Sequence, residues 1–145
     1  MNGFLDKYGS DTTTNFQLLR WAKQLDIPNF TVLMRNELKK LHKLKTLPIF
    51  IICNYHTTEQ SGVHWTAMYK NKDNAFFFDS YGIQPFQEAI DFLENFTYSS
   101  FKIQPEGSKI CGQISLYILL KLSKGCDFCT TVLELNDYFN SKNDG

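Results

Sequence analysis

Cys111-Gly112-Gln113-Ile114-Ser115-Leu116-Tyr117-Ile118-Leu119-Leu120-Lys121-Leu122-Ser123-Lys124 is the most apolar helix-length stretch of the chain. Its aliphatic residues occupy nearly every face of a helical projection, the pattern of a helix buried on all sides rather than one lying on a surface. Gly125 marks its C-terminal stop. The polar loop Pro105-Glu106-Gly107-Ser108-Lys109 precedes it, so Cys111 falls at the first turn of the predicted central helix. The partial positive charge at a helix N-terminus favours a thiolate over a thiol there. Gly112 brings no side chain to obstruct an approaching substrate.

The period of the hydrophobic pattern changes outside this helix. Leu47 to Tyr55 is a continuous apolar run rich in β-branched and aromatic residues, which predicts a buried strand. Val63 to Lys70 alternates, Asn71-Lys72-Asp73-Asn74 is a turn, and Ala75 to Tyr81 is another strand, giving a hairpin-like core. A helix begins near Pro85 with Phe86, Ala89, Ile90 and Leu93 inward, and Tyr98 to Gln104 reads as a strand. Nearer the N-terminus, Thr12 to Thr14 cap a helix whose face is Leu18, Trp21, Ala22 and Leu25, ended by Pro28. A second helix is expected from Met34 to Leu44, with Leu38, Leu41 and Leu44 inward. Its outer face carries Arg35, Lys39, Lys40, Lys43 and Lys45, a solvated face or a docking patch for an acidic partner. A last helix spans Thr130 to Phe139. The expectation is an α+β fold in which a small mixed or antiparallel sheet packs on the central helix.

A chain of 145 residues predicts one domain, 1–145, long enough to bury a core. At 43% hydrophobic and 15% aromatic residues, disordered and collagen-like classes are excluded. Lys+Arg and Asp+Glu both count 15, so nothing in the overall charge favours a nucleic-acid partner; the stretch Arg35 to Lys45 leaves that question open. No apolar run is long enough for a bilayer, and Met1 to Ser10 lack a signal-peptide stretch, so a soluble intracellular protein is expected. The four cysteines are too sparse for a secreted scaffold. Cys126 and Cys129 form a CxxC, but one pair cannot complete a four-ligand zinc site, and they read as structural. No metal or other cofactor is called for.

A thiolate nucleophile works with an imidazole, and the imidazole with a group that orients it. Of three histidines, His42 lies on the basic helix and His56 opens a polar loop, and both read as surface residues. His64 precedes Trp65 at the start of an alternating strand, where it is either a half-buried hydrogen-bonding residue or a base. Asp79 follows Phe76-Phe77-Phe78, where a buried carboxylate needs a partner; otherwise it simply opens the turn Asp79-Ser80-Tyr81-Gly82. Gln104 ends a predicted strand seven positions before Cys111. An amide donor there, with a backbone N–H at the helix start, suits the oxyanion of a tetrahedral intermediate.

Ser61-Gly62-Val63-His64-Trp65, then Phe78-Asp79-Ser80-Tyr81-Gly82, then Gln104, then Cys111-Gly112 resembles the adenovirus-type cysteine proteases, adenain-like enzymes related to the Ulp/SENP proteases of ubiquitin-like proteins. The resemblance spans Ile49 to Leu122, and a weaker one extends over the first 45 residues to the proteases of polintons and related DNA elements. It implies a papain-like fold, with Cys111 as nucleophile, His64 as base and acid, Asp79 orienting His64, and Gln104 as oxyanion donor; Trp65 and Gly112 lie against substrate. Asp79, where adenoviral enzymes often have Glu, leans toward the Ulp side; Ile110, where Ulp-type enzymes have Asp, leans back.

The implied function is thiol endopeptidase activity on viral or virus-like structural precursors, by a monomer in a virion or in host nucleus or cytoplasm, with a protein or peptide substrate and no membrane. The alternatives are a Ulp/SENP-like isopeptidase and a catalytically inactive binding relative. Adenoviral enzymes are activated by a peptide disulfide-bonded to a cysteine between the acid and the glutamine. Residues 80–103 contain no cysteine, so an activating peptide would act non-covalently.

Overall fold

A computed structural model describes residues 1–43, 46–60 and 64–143 of the chain. Leu44, Lys45 and the motif residues Ser61, Gly62 and Val63 lie outside the described residues, as do the side chains of His42 and Lys43.

Five strands form one mixed sheet in sequence order: β1 (Phe30–Met34), β2 (Ile49–Asn54), β3 (Trp65–Lys70), β4 (Ala75–Phe78) and β5 (Thr97–Tyr98). The central three are antiparallel, with Ile52 opposite Ala67 and Ala67 opposite Phe78; β1 and β5 add parallel at the two edges. The helices are α1 (Asn2–Tyr8), α2 (Asn15–Gln24), α3 (Gln87–Leu93), α4 (Cys111–Ser123) and α5 (Phe128–Asn143), with a 3₁₀ segment at Arg35–Lys43. Both sheet faces are covered, which is why β2 is apolar at every position but its last. Phe50 and Ile52 face α4, together with Ala67, Phe78, Leu18 of α2 and Val132 of α5. Ile49, Ile51 and Cys53 face the other way, onto Leu38 and Leu41 of the 3₁₀ segment and Ala89 and Leu93 of α3.

The central helix is where the sequence placed it, and Ile114, Leu116 and Leu119 are fully buried. Thr14 caps α2 in a reciprocal box with Gln17, each side chain bonding the other's backbone N–H. Five expectations need correction. The expected Met34–Leu44 α-helix is instead the end of strand β1 followed by the 3₁₀ segment. Leu38 and Leu41 lie three residues apart, one turn of a 3₁₀ helix, and both side chains are buried. Arg35, expected on the outer face, is folded in: it forms a two-pronged ion pair with Glu88 and lies over the rings of Tyr55 and Phe86. The Tyr98–Gln104 strand is only Thr97–Tyr98 as β5, because the N–H groups of Ile103 and Gln104 both turn to Ser80 O (2.8 and 2.9 Å) and not to a neighbouring strand. In α3, Phe92 is buried and Ile90 is exposed. Cys126 and Cys129, read as structural, are exposed free thiols outside the core. Among the described residues no helix is long and apolar enough to cross a membrane.

Candidate active site

Cys111 is the first residue of α4, after Ile110 at the N-cap, and no side chain caps that end. The first-turn N–H groups of a helix have no intrahelical acceptor, so this end offers donors and a positive dipole to whatever lies before it. The Cys111 sulfur accepts from the backbone N–H of Trp65 at 3.5 Å. His64 sits one residue earlier, immediately before β3, and its carbonyl is tied to Tyr55 N–H at 2.8 Å. The ladder therefore holds the imidazole where β3 meets the head of α4.

His64 Nε2 donates to Asp79 Oδ1 at 3.0 Å, and the ring also hydrogen-bonds Cys111. With Nε2 taken by the carboxylate, Nδ1 is the nitrogen left for the thiol. Asp79 immediately follows β4 and is 1% exposed; its Oδ1 also accepts from Tyr81 N–H at 2.8 Å. Tyr81 turns its ring onto the imidazole, with centroids 5.1 Å apart and planes tilted 30°. Burial alone lowers the His64 pKa, but the hydrogen bonds and negative charge of Asp79 and Cys111 outweigh it and raise it to about 9. Burial pushes the thiol of Cys53 up, in keeping with an inert core cysteine.

The turn after Asp79 needs its glycine. Gly82 has φ +70°, and a Cβ there would lie 2.5 Å from the carbonyl oxygen of Ser100. The chain can thus bring residues 100–104 against the Asp79 turn. Gln104 is 2% exposed; its Oε1 accepts from the Ser80 hydroxyl at 2.6 Å and its Nε2 donates to Ser108 O at 2.9 Å. Cys111, His64, Gln104, Tyr81, Tyr55, His56 and Ser108 share one cleft of about 350 Å³.

The structure therefore brings together the four residues singled out in sequence: His64, Asp79, Gln104 and Cys111. Trp65 is 6% exposed. Its indole N–H donates to Thr13 O at 3.1 Å, and it lines an adjoining cavity of about 420 Å³ with Val32, Met34 and Glu37; Thr12 lies on both cavities. Gly112 is buried, and the place of its missing Cβ falls on Thr13 Oγ1 and within 3.3 Å of Trp65 Cδ1, so close packing is the use the fold makes of this glycine.

Several residues at the site gave no signal in the sequence. Residues 9–14 form a strap across the head of α4, held by Trp65 and by Gln113, whose amide donates to Gly9 O (3.1 Å) and Asp11 O (2.9 Å). The one available hint was Gln113, a polar residue inside the most apolar helix. His56, read as a surface residue, is half-buried on the cleft. Ser80 and Tyr81 were legible only as turn residues.

No family model matches the chain, and no curated protein matches it in sequence. Among solved structures, the ASFV pS273R protease is similar over 84% of this chain with a TM-score of 0.61 and 14% identity. This chain spans 62% of that protein's length. The likeness shows the fold: an α+β architecture shared with that protein, with a mixed sheet packed on the central helix.

Proposed function

We propose that the protein is a cysteine endopeptidase of the adenovirus-like branch, acting on structural precursor proteins of a virus or virus-like element. The observation that carries the reading is the unbroken chain from Asp79 through His64 to Cys111, at a helix N-terminus that opens on a cleft. Fold likeness to a protease supports it. A structural role alone does not require a buried carboxylate, an imidazole and a thiol in series beside a cleft lined by an amide.

In this reading His64 Nδ1 holds the proton that Cys111 gives up, and Asp79 stabilises the imidazolium through Nε2. The Cys111 sulfur attacks the scissile carbonyl carbon. Charge on the oxygen of the tetrahedral intermediate is met by Gln104 Nε2 and the Cys111 backbone N–H. His64 protonates the departing amine, the acyl group remains on sulfur, and a water deprotonated by His64 releases it. Trp65 contributes to the wall of the adjoining cavity, along which the substrate chain runs on from the cleft. No cofactor takes part.

The test is to incubate the protein with peptides carrying Gly-Xaa-Gly sequences and with ubiquitin-like fusions, using Cys111→Ala as the blank. Cleavage of the peptides supports the endopeptidase. Cleavage of the fusions alone moves the reading to a Ulp-like isopeptidase. Cleavage of neither, with no selective labelling of Cys111 by a thiol reagent, leaves an inactive binding relative.

A further inference from the structure

Gln104 has one flexible amide, and an oxyanion donor is useful only if it is fixed before charge develops. Two contacts fix it. Ser108 O, a backbone carbonyl, can only accept, so the amide end facing it at 2.9 Å must be the NH₂ group. The other end, Oε1, then faces the Ser80 hydroxyl at 2.6 Å, and that hydroxyl must donate. Ser80 is completely buried, and its own carbonyl accepts the N–H groups of both Ile103 and Gln104. One residue thus grips Gln104 through side chain and backbone, leaving the second N–H of the amide for the cleft that Gln104 lines.

We infer that Ser80 is the positioning residue for the oxyanion-hole amide, locking Gln104 through a buried hydroxyl-to-amide hydrogen bond; this rests on the oxyanion role proposed above. The placement has a mechanical consequence. Asp79 holds the imidazole and its neighbour Ser80 holds the amide, so one two-residue segment at the end of β4 sets the distance between the base and the oxyanion donor.

The experiment is a double-mutant cycle on cleavage of a fluorogenic peptide carrying a Gly-Xaa-Gly sequence, with Ser80→Ala, Gln104→Ala and the pair. Ser80→Ala is expected to lower kcat about tenfold, the equivalent of one hydrogen bond of about 1.4 kcal/mol, with KM unchanged. In the Gln104→Ala background it is expected to do nothing further. Alkylation of Cys111, which needs the His64 pair but not the amide, should keep its wild-type rate and so report an intact fold. If Ser80→Ala does not fold, Ser80→Cys carries the test, because a thiol is a near-isostere and a weak donor; its kcat should still fall with KM constant. Full kcat in the serine variant beside a loss in Gln104→Ala overturns the positioning role and leaves the proposed function standing. Additive losses in the pair also overturn it, because Ser80 then acts elsewhere. Full kcat in Gln104→Ala overturns the oxyanion reading itself, and the positioning role with it.

Discussion

Asp79 Oδ1 binds Nε2 of His64 at 3.0 Å, on the side of the ring away from Cys111, and the same oxygen is held by Tyr81 N–H at 2.8 Å. A carboxylate with one oxygen fixed by the backbone cannot follow the imidazole if it rotates, so it selects one ring orientation. Asp79→Asn keeps the shape and removes the charge. It is expected to lower kcat by on the order of a hundredfold and to move the His64 pKa down from about 9. Proton NMR of the imidazole reads the second effect directly; an unmoved His64 titration would mean that Asp79 does not govern the ring.

The same raised pKa makes a prediction about pH. His64 is raised from 6.5 to about 9, so the folded state favours the protonated ring. That contribution to stability is complete below pH 6.5 and is lost as pH rises through about 9. Thermal melts should show wild-type Tm declining over this window more than the Tm of His64→Ala. Activity should share the alkaline limb, because above it His64 lacks the proton that the leaving amine takes. Parallel declines in both proteins would remove His64 as the source.

Thiol reactivity separates the four cysteines by environment and not by exposure alone. Cys53 is buried in the sheet, with its pKa pushed up by burial, and should be unreactive in the native state. Cys126 and Cys129 are exposed. Cys111 is only 8% exposed, yet it meets the His64 ring and the Trp65 N–H. Iodoacetamide at neutral pH should modify Cys111 first, and His64→Ala should slow that site and no other; peptide mass spectrometry gives the order. Faster labelling of Cys126 and Cys129 would show that exposure decides.

Which parts of this molecule the sequence disclosed depends on whether neighbours in the chain carry the information. Helix α4 was legible because apolarity on all faces has one structural solution, and the strands β2 to β4 because burial and alternation are local properties. The 3₁₀ segment was misread because Leu38 and Leu41 fit a helical spacing at either period over so short a run. The supposed strand before Gln104 was misread because its N–H groups are taken by Ser80, twenty-odd residues away in sequence. His64, Asp79 and Cys111 stood out because each is a chemically conspicuous residue at an element boundary, whereas Gln104, in the loop between β5 and α4, stood out by its spacing of seven from Cys111. The strap over α4 did not, because Thr13 and Gln113 are ordinary residues whose meaning appears only when residues 9–14 lie across the helix.

That strap yields the last prediction. A Cβ on Gly112 would overlap Thr13 Oγ1 and come within 3.3 Å of both Thr13 Cβ and Trp65 Cδ1. Thr13 cannot easily withdraw, because its carbonyl is bound by the Trp65 indole at 3.1 Å and the chain just before it by Gln113. Gly112→Ala, favourable for a helix on propensity alone by about 1 kcal/mol, should therefore destabilise the fold by about 1–3 kcal/mol through overpacking. The displaced strap carries Thr12, which lines both cavities, so kcat/KM for peptide cleavage should fall as well. Thr13→Ala removes the hydroxyl that the new methyl strikes, leaving only the 3.3 Å contacts, which small shifts absorb. The double variant should thus recover most of the Tm lost by Gly112→Ala, a coupling that urea melts of all four proteins would measure. Additive losses, with no recovery in the pair, would mean that the glycine is required for some reason other than contact with Thr13.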